Sequence, residues 1–129
     1  MNRGLRISIL AVLCVLSIGG TMFAHHGGAA WDMKTTLTIK GTVTEFRFVN
    51  PHVQIYVDAM DDKGKIVKWS CESADPAMLE RQGWSHLTVK PGDVITLVGH
   101  PAKTGVKIMV LDKLTLPNGQ ELAAKAVVQ

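Results

Sequence analysis

Hydrophobic and polar residues alternate with a period of two along much of the chain from residue 36 onward. Such alternation is typical of strands that bury one face. Between Thr36 and Phe48, one face carries Leu37, Ile39, Gly41 and Val43. The glycine in this run predicts a bulge or a sharp bend, because glycine tolerates the bending that a long strand needs when it changes sheets.

The same pattern predicts four more strands and one helix. Apolar residues share one face at positions 53, 55 and 57 and at 67, 69 and 71, and further strands span 94–99 and 106–116. The turn sequences between them are Asn50-Pro51, Asp61–Gly64, Lys90–Asp93, Thr104-Gly105 and Pro117–Gly119. Helical signals occur only at Pro76–Gly83, where Asp75 can cap the start and Gly83 can end the helix. Glu121-Leu122 allow a short tail strand.

Three strands, a short helix and two strands follow one another in the order of the OB fold. We therefore predict an all-β fold, a small OB-like antiparallel barrel of about five strands with one short helix between strands 3 and 4. A plain antiparallel sandwich with a helical turn is the alternative. The predicted core consists of Ile39, Val43, Val53, Ile55, Val57, Trp69, Met78, Leu79, Ile95, Leu97, Ile108 and Val110.

The first 24 residues have the features of a secretory signal peptide. Arg3 and Arg6 supply positive charge, the apolar run from 7 to 18 has 12 residues, and the small Ala24 offers a cleavage position. Cleavage after Gly20 and an uncleaved anchor that extends through Ala24 are the alternatives. The predicted parts are a helical signal peptide over residues 1–24, an N-terminal arm over 25–35 and the barrel domain over 36–129. The pattern places the protein in the bacterial periplasm or outside the cell.

Charge and cysteine content narrow the function classes. The full chain has a net charge of +3; without Arg3 and Arg6 its 14 basic residues become 12, against 11 acidic ones, which gives +1. No basic stretch resembles a phosphate-binding stripe, so no nucleic-acid partner is expected, and no membrane partner is expected after signal cleavage. Only Cys71 remains after cleavage, so no internal disulfide can form. We interpret Cys71 as a small buried residue; a metal ligand or an intermolecular disulfide are the alternatives.

Catalytic motifs are missing from the sequence. It contains no G-x-S-x-G, C-x-x-C, phosphate-loop or H-E-x-x-H pattern. The carboxylates lie mostly in turns and beside lysines, as solvated carboxylates do. We therefore do not expect an enzyme.

Histidines supply the candidate chemistry. Cleavage after Ala24 would leave His25 and His26 at the start of the mature chain, where a free α-amine and two imidazoles could chelate copper or, less readily, zinc. His52 follows the first turn and His100 precedes the loop between the last two strands, and these two loops flank one face of an OB barrel. The sequence thus predicts a copper carrier or sensor that uses His25, His26 and His52, with His100 as a fourth candidate; His86 is expected in solvent.

A metal-free function is the alternative. In that hypothesis the barrel face binds a small ligand of the cell envelope or a protein partner, and Tyr56, Lys68 and Trp69 matter more than the histidines. A purely structural envelope protein, with neither a pocket nor a histidine cluster, is a third interpretation. The oligomeric state is not indicated by the pattern.

Several short motifs resemble a family of small exported bacterial proteins that is known only as a domain of unknown function. The shared elements are His25-His26, Lys40–Val43, Asn50-Pro51-His52, Trp69, Gly83-Trp84, Lys90–Asp93, Gly99 and Leu116–Gly119. The resemblance implies an exported, single-domain β protein and implies no activity. The chain departs from the family at Gly27-Gly28, where the family has Ser-Phe, and this gives the arm more conformational freedom.

Overall fold

A computed structural model describes residues 28–125 of the protein. The predicted signal helix and the histidines at 25 and 26 lie outside these residues. The elements are a 3₁₀ turn at Gly28–Ala30, strands β1 (Leu37–Arg47), β2 (Gln54–Met60) and β3 (Ile66–Glu72), helix α1 (Pro76–Glu80), and strands β4 (Val94–Pro101), β5 (Ile108–Thr115) and β6 (Glu121–Ala123). The all-β prediction, the five main strands and the short helix between the third and fourth strands are confirmed.

The strands form one sheet that closes on itself. Hydrogen bonding runs in the order β3-β2-β1-β4-β5-β6, and an additional pairing joins β3 to β5. The β3–β5 pairing is parallel and short, and it joins residues 70–72 to residues 108–110. Every other strand pairing is antiparallel, so the barrel is mixed and not wholly antiparallel. The short pairing leaves the first half of β3 without a strand partner on that side.

Strand β1 pairs with two neighbouring strands, β4 and β2. Its first half pairs with β4 and its second half with β2, and Gly41 and Thr42 pair with both. A Cβ at Gly41 would lie 3.0 Å from the carbonyl oxygen of Asp58, which shows how closely the backbones pack at the bend. The register shift itself lies between Val43 and Glu45, a few residues after the predicted position.

The core fills the barrel as the alternation predicts, except on β5. Nearly all the predicted residues of β1, β2, β4 and α1 are buried or pack against the core, but Ile108 is 37% exposed and Val110 is only half-buried. Met109, Leu111 and Leu114 occupy the interior instead. The prediction for β5 was wrong because it placed the outward-facing residues in the core. Positions 108–111 are all apolar, and an unbroken apolar run does not reveal which side of a strand faces inward.

Helix α1 and the C-terminal residues cover one end of the barrel. The carboxylate of Asp75 accepts a hydrogen bond from the amide of Met78 at 3.0 Å, which confirms the predicted N-cap. The buried indole of Trp84 donates from Nε1 to the carbonyl of Ala123 at 2.7 Å. Within residues 28–125, no helix has the length and hydrophobicity that a membrane span requires.

Candidate functional site

The N-terminal arm is docked against the loop between β4 and β5. The amide of Asp32 donates to the carbonyl of Pro101 at 2.8 Å, and the amide of Lys103 donates to the carbonyl of Ala30 at 3.1 Å. Trp31 forms an antiparallel bridge with Ala102. Main-chain hydrogen bonds thus attach the arm to the end of β4 and to the loop that follows it. Residues 28–34 therefore form a fixed wall beside the barrel.

Trp69 forms the opposite wall, at the seam where β3 and β5 separate. The amide of Ser70 donates to the carbonyl of Lys107 at 3.0 Å, which is the last contact before the two strands diverge. Trp69 is half-buried on the inward-facing side of β3. The ammonium group of Lys107 lies 5.3 Å from the centre of its ring, within cation–π distance.

An open cleft of about 720 Å³ lies between these walls. Its apolar lining residues are Trp31, Met33, Leu37, Trp69, Pro101, Ala102 and Val106. Three lysines, Lys34, Lys103 and Lys107, also line it. We call this space the arm–barrel cleft. It has the size and the mixture of apolar and polar groups that small-molecule sites have.

The charges of the cleft are unbalanced. Lys34, Lys103 and Lys107 form no salt bridge with a carboxylate in the described part of the chain, although Lys103 is near enough to Asp32 to help lower the pKa of that carboxyl. Asp32 accepts hydrogen bonds from the hydroxyl of Thr35 at 2.7 Å and from the amide of Lys34 at 3.2 Å. These two hydrogen bonds hold the pKa of Asp32 below its ordinary value, so its carboxylate is charged at neutral pH. Three positive groups and one negative group leave the cleft with a net charge of +2.

His100 is nearly buried and anchors the arm. Its Nδ1 lies 2.8 Å from the carbonyl oxygen of Thr35, and its Nε2 lies 3.0 Å from a carboxylate oxygen of Asp112. One ring nitrogen thus faces a carbonyl oxygen and the other a carboxylate oxygen, so the ring is held from both sides. A metal ion at His100 would have to displace one of these partners; its role as a ligand stays a prediction.

His52 lies in the loop between β1 and β2 and is exposed. Its Nε2 is 3.9 Å from a carboxylate oxygen of Glu72, and about half of its side chain is accessible. His52 and His100 lie towards the same end of the barrel, where Gln54, Glu72, Val110 and His100 follow one another through successive strand pairings. In residues 28–125, however, no three His, Cys, Asp or Glu side chains come together as a metal site would require.

Three candidate residues of the metal-free hypothesis lie on or beside the cleft. Tyr56 donates from its hydroxyl to Gln54 at 2.5 Å, and the guanidinium of Arg47 lies 5.1 Å from its ring centre. Lys68 is 4.0 Å from Asp58. A shallower depression of about 310 Å³ contains Tyr56 and Lys68, and it shares Trp69 with the arm–barrel cleft.

Cys71 is fully buried in the core. Burial raises the pKa of its thiol to about 12, so the thiol is protonated at neutral pH. This agrees with the interpretation of Cys71 as a small core residue.

The sequence did not indicate Lys103 and Lys107 as site residues. Two lysines beside a turn glycine carry no signal along the chain, and they line a cleft only because the arm is docked against their loop.

The fold and the cleft together define a small OB-like β-barrel with one open seam. The chain belongs to the family of unknown function DUF6152, whose model matches residues 12–110. The family resemblance seen in the sequence motifs is therefore confirmed. No curated protein matches the chain.

One solved structure with a similar fold is that of a mitochondrial single-stranded DNA binding protein, Rim1 of S. cerevisiae. The sequences are 13% identical, the match covers 64% of this chain and 93% of the other, and the TM-score is 0.47.

Proposed function

We propose that this protein is an exported, non-catalytic binding protein whose ligand occupies the arm–barrel cleft. The observation that carries the proposal is the pairing of two half-buried indoles, Trp31 and Trp69, with three lysines that face a single carboxylate, that of Asp32, in the described lining. Apolar walls with a few convergent polar groups are what ligand sites usually present.

Binding fits the residues of the cleft better than catalysis does. Its described lining contains no histidine, cysteine, serine or glutamate, and Asp32 is its one carboxylate. Asp32 is already engaged by two hydrogen bonds from its own turn. Lysine acts as a nucleophile or a base when it is desolvated, and Lys34, Lys103 and Lys107 are all exposed to solvent.

Export is supported by the sequence of the first 24 residues, with its charged start, apolar run and small residue at Ala24. Mass spectrometry of the protein from the envelope fraction tests it. We expect a mature chain that begins at His25. A full-length chain in the soluble cytoplasmic fraction would contradict export.

The binding site is tested by amide chemical shifts during a titration with phenylnaphthylamine, an uncharged fluorescent probe. We expect the shifts to concentrate at residues 28–34 and 101–107. Trp31→Ala should weaken binding about tenfold, because it removes one apolar wall of the cleft. Leu87→Ala is the matched control, since Leu87 is 79% exposed and does not line the cleft. Equal weakening by both variants would rule out the cleft as the site.

Copper binding is the second candidate, and the short distance between His52 and Glu72 favours it. An imidazole nitrogen and a carboxylate oxygen 3.9 Å apart, both accessible, could complete a site begun by His25 and His26 at the mature N-terminus. We expect His52→Ala, and replacement of both His25 and His26 by Ala, to weaken Cu(II) binding to the mature protein. His86→Ala is the control. Binding that survives all these changes would rule out this candidate.

A further inference from the structure

We propose that the ligand of the arm–barrel cleft is a small amphiphilic anion, with a flat apolar body and one carboxylate, sulfonate or phosphate group. The inference rests on the proposed function, because it names the chemical class that the same cleft selects. It joins two observations, the positive charge of the rim and the exposed apolar surface beside it.

The positive rim argues for an anion. Lys103 and Lys107 lie on one loop and Lys34 on the facing arm, so lysines line both sides of the opening. Elsewhere in the described chain several lysines are neutralised by carboxylates, as Lys90 is by Asp93 at 2.9 Å and Lys113 by Glu121 at 2.7 Å. Asp32 offsets only one of the three charges in the cleft. An anionic group there would gain charge-assisted hydrogen bonds without breaking an existing ion pair.

The walls argue for an apolar, flat body. Met33 and Val106 are 53% and 51% exposed, and both line the cleft beside the half-buried rings of Trp31 and Trp69. Large apolar side chains left in water beside a concave surface commonly mark a binding site. Indole faces favour stacked or edge-on aromatic partners, which a flat body provides.

The loop between β4 and β5 gives the cleft an orientation. Gly105 adopts a φ of 80°, a left-handed conformation that glycine takes without strain, and the chain therefore reverses between Lys103 and Lys107. The carbonyl of Lys107 is fixed by the amide of Ser70, and the ammonium of Lys107 lies over Trp69. Lys107 therefore lies between the apolar wall and the charged residues of the cleft. An amphiphilic ligand would place the junction of its charged head group and its apolar body beside this lysine.

The cleft walls are held by main-chain hydrogen bonds before any ligand arrives. The arm is fixed through Asp32 and Ala30, and the loop is fixed through the amide of Ala102, which donates to the carbonyl of Ile108 at 2.9 Å. A site that is already ordered loses less conformational entropy on binding. The cleft can therefore bind a small molecule without the large contact area that a protein partner requires.

Two fluorescent probes with the same aromatic body test the inference: anilinonaphthalene sulfonate, which is anionic, and phenylnaphthylamine, which is its uncharged counterpart. Fluorescence titration of the mature protein with each probe gives the two dissociation constants. We expect the anionic probe to bind about tenfold tighter than the uncharged one, and the difference to shrink as salt is added.

The variant Lys103→Gln/Lys107→Gln should abolish this preference, because it weakens binding of the anionic probe far more than binding of the uncharged probe. Lys63→Gln/Lys65→Gln removes the same number of charges from exposed positions outside the cleft and should retain the preference. Equal affinity for both probes in the wild type would overturn the inference and leave the proposed function standing. Loss of the preference in the control variant would also overturn it. If neither probe binds, the proposed function fails as well.

Discussion

At the scale of single residues, the side chains that one would first suspect of chemistry hold the fold together. Cys71 is enclosed in the core, and His100 joins the arm to β5 through Thr35 and Asp112. The arm–barrel cleft is lined instead by exposed lysines and half-buried tryptophans. A reactive type of side chain therefore says less about function here than the partners that surround it.

Cys71 should be inert in the folded protein. At pH 8 we expect negligible alkylation of the native mature chain by iodoacetamide and rapid alkylation in concentrated guanidinium chloride, because the buried thiol stays protonated. A Cys71→Ser chain that carries the exposed substitution Lys63→Cys is the control and should react rapidly without denaturant. Comparable rates for the two native chains would contradict the burial of Cys71.

The same thiol gives a pH dependence of stability. Its pKa is about 12 when folded and near the ordinary value of 9.0 when unfolded. Between these values the unfolded chain loses a proton that the folded chain keeps, so the free energy of unfolding falls as pH rises. The slope should reach about 1.4 kcal/mol per pH unit relative to Cys71→Ala. Urea unfolding of both chains across this range measures it, and parallel curves would contradict it.

His100→Ala should destabilise the protein and free the arm. It leaves the carbonyl of Thr35 without its partner and leaves Asp112 with Lys125 alone, at 3.6 Å. We expect a loss of about 1–3 kcal/mol in the free energy of unfolding. Hydrogen exchange at the amide of Asp32 should also become faster. His86→Ala, at an exposed position, should change neither quantity. An unchanged exchange rate at Asp32 in His100→Ala would show that His100 does not hold the arm.

At the scale of elements, β5 decides how the barrel closes. It pairs with β4 and β6 in antiparallel fashion and with β3 in parallel. A register shift opposite Val98 and Gly99 leaves Asp112 as an extra residue on β5, so the inward positions change from 109 and 111 to 114. This bulge turns Asp112 toward His100 and thus links the closure of the barrel to the position of the arm.

Gly99 is the position where this arrangement tolerates no side chain. A Cβ there would overlap the carbonyl oxygen of Val110 and would lie 2.9 Å from the terminal methyl of Met109. We expect Gly99→Ala to lower the free energy of unfolding by about 3 kcal/mol or more. Gly28→Ala is the control, because nothing lies within 4 Å of the added methyl. Urea unfolding compares the two, and equal stability would show that the β4–β5 pairing can shift.

At the scale of the whole molecule, the two ends of the described chain have different roles. The C-terminal residues complete the core: Leu122 and Ala124 are buried, and the carbonyl of Ala124 accepts a hydrogen bond from the hydroxyl of Ser73 at 2.8 Å. The arm lies outside the barrel and forms one wall of the cleft. The first end supports the fold, and the second forms part of the proposed binding site.

Truncation should separate these roles. A chain that begins at Thr36 should keep the barrel, seen as native circular dichroism and dispersed amide resonances, and should lose probe binding. A chain that ends at Asn118 should fail to fold, because it removes two core residues and the acceptors of Trp84 and Ser73. A folded C-terminal truncation with native resonances would contradict this division.

The sequence alone determined the strands, the turns, the helix with its Asp75 cap and the order that gives an OB-like barrel. Those features depend on local rules, namely alternation, turn residues and capping, which neighbouring residues satisfy together. The phase of β5 could not be determined in this way, because residues 108–111 are apolar on both faces and the choice depends on pairing with β3.

Only the tertiary structure decided where the candidate site lies. Trp31, Trp69 and Lys107 are far apart along the chain, and no motif joins them. They meet because the arm is hydrogen-bonded to the residues that follow β4. They also meet because β3 and β5 pair over only three residues, and Trp69 and Lys107 lie just before that pairing. Burial and hydrogen bonding between distant segments set that arrangement, whereas the pattern along the chain records only which residues prefer to leave water.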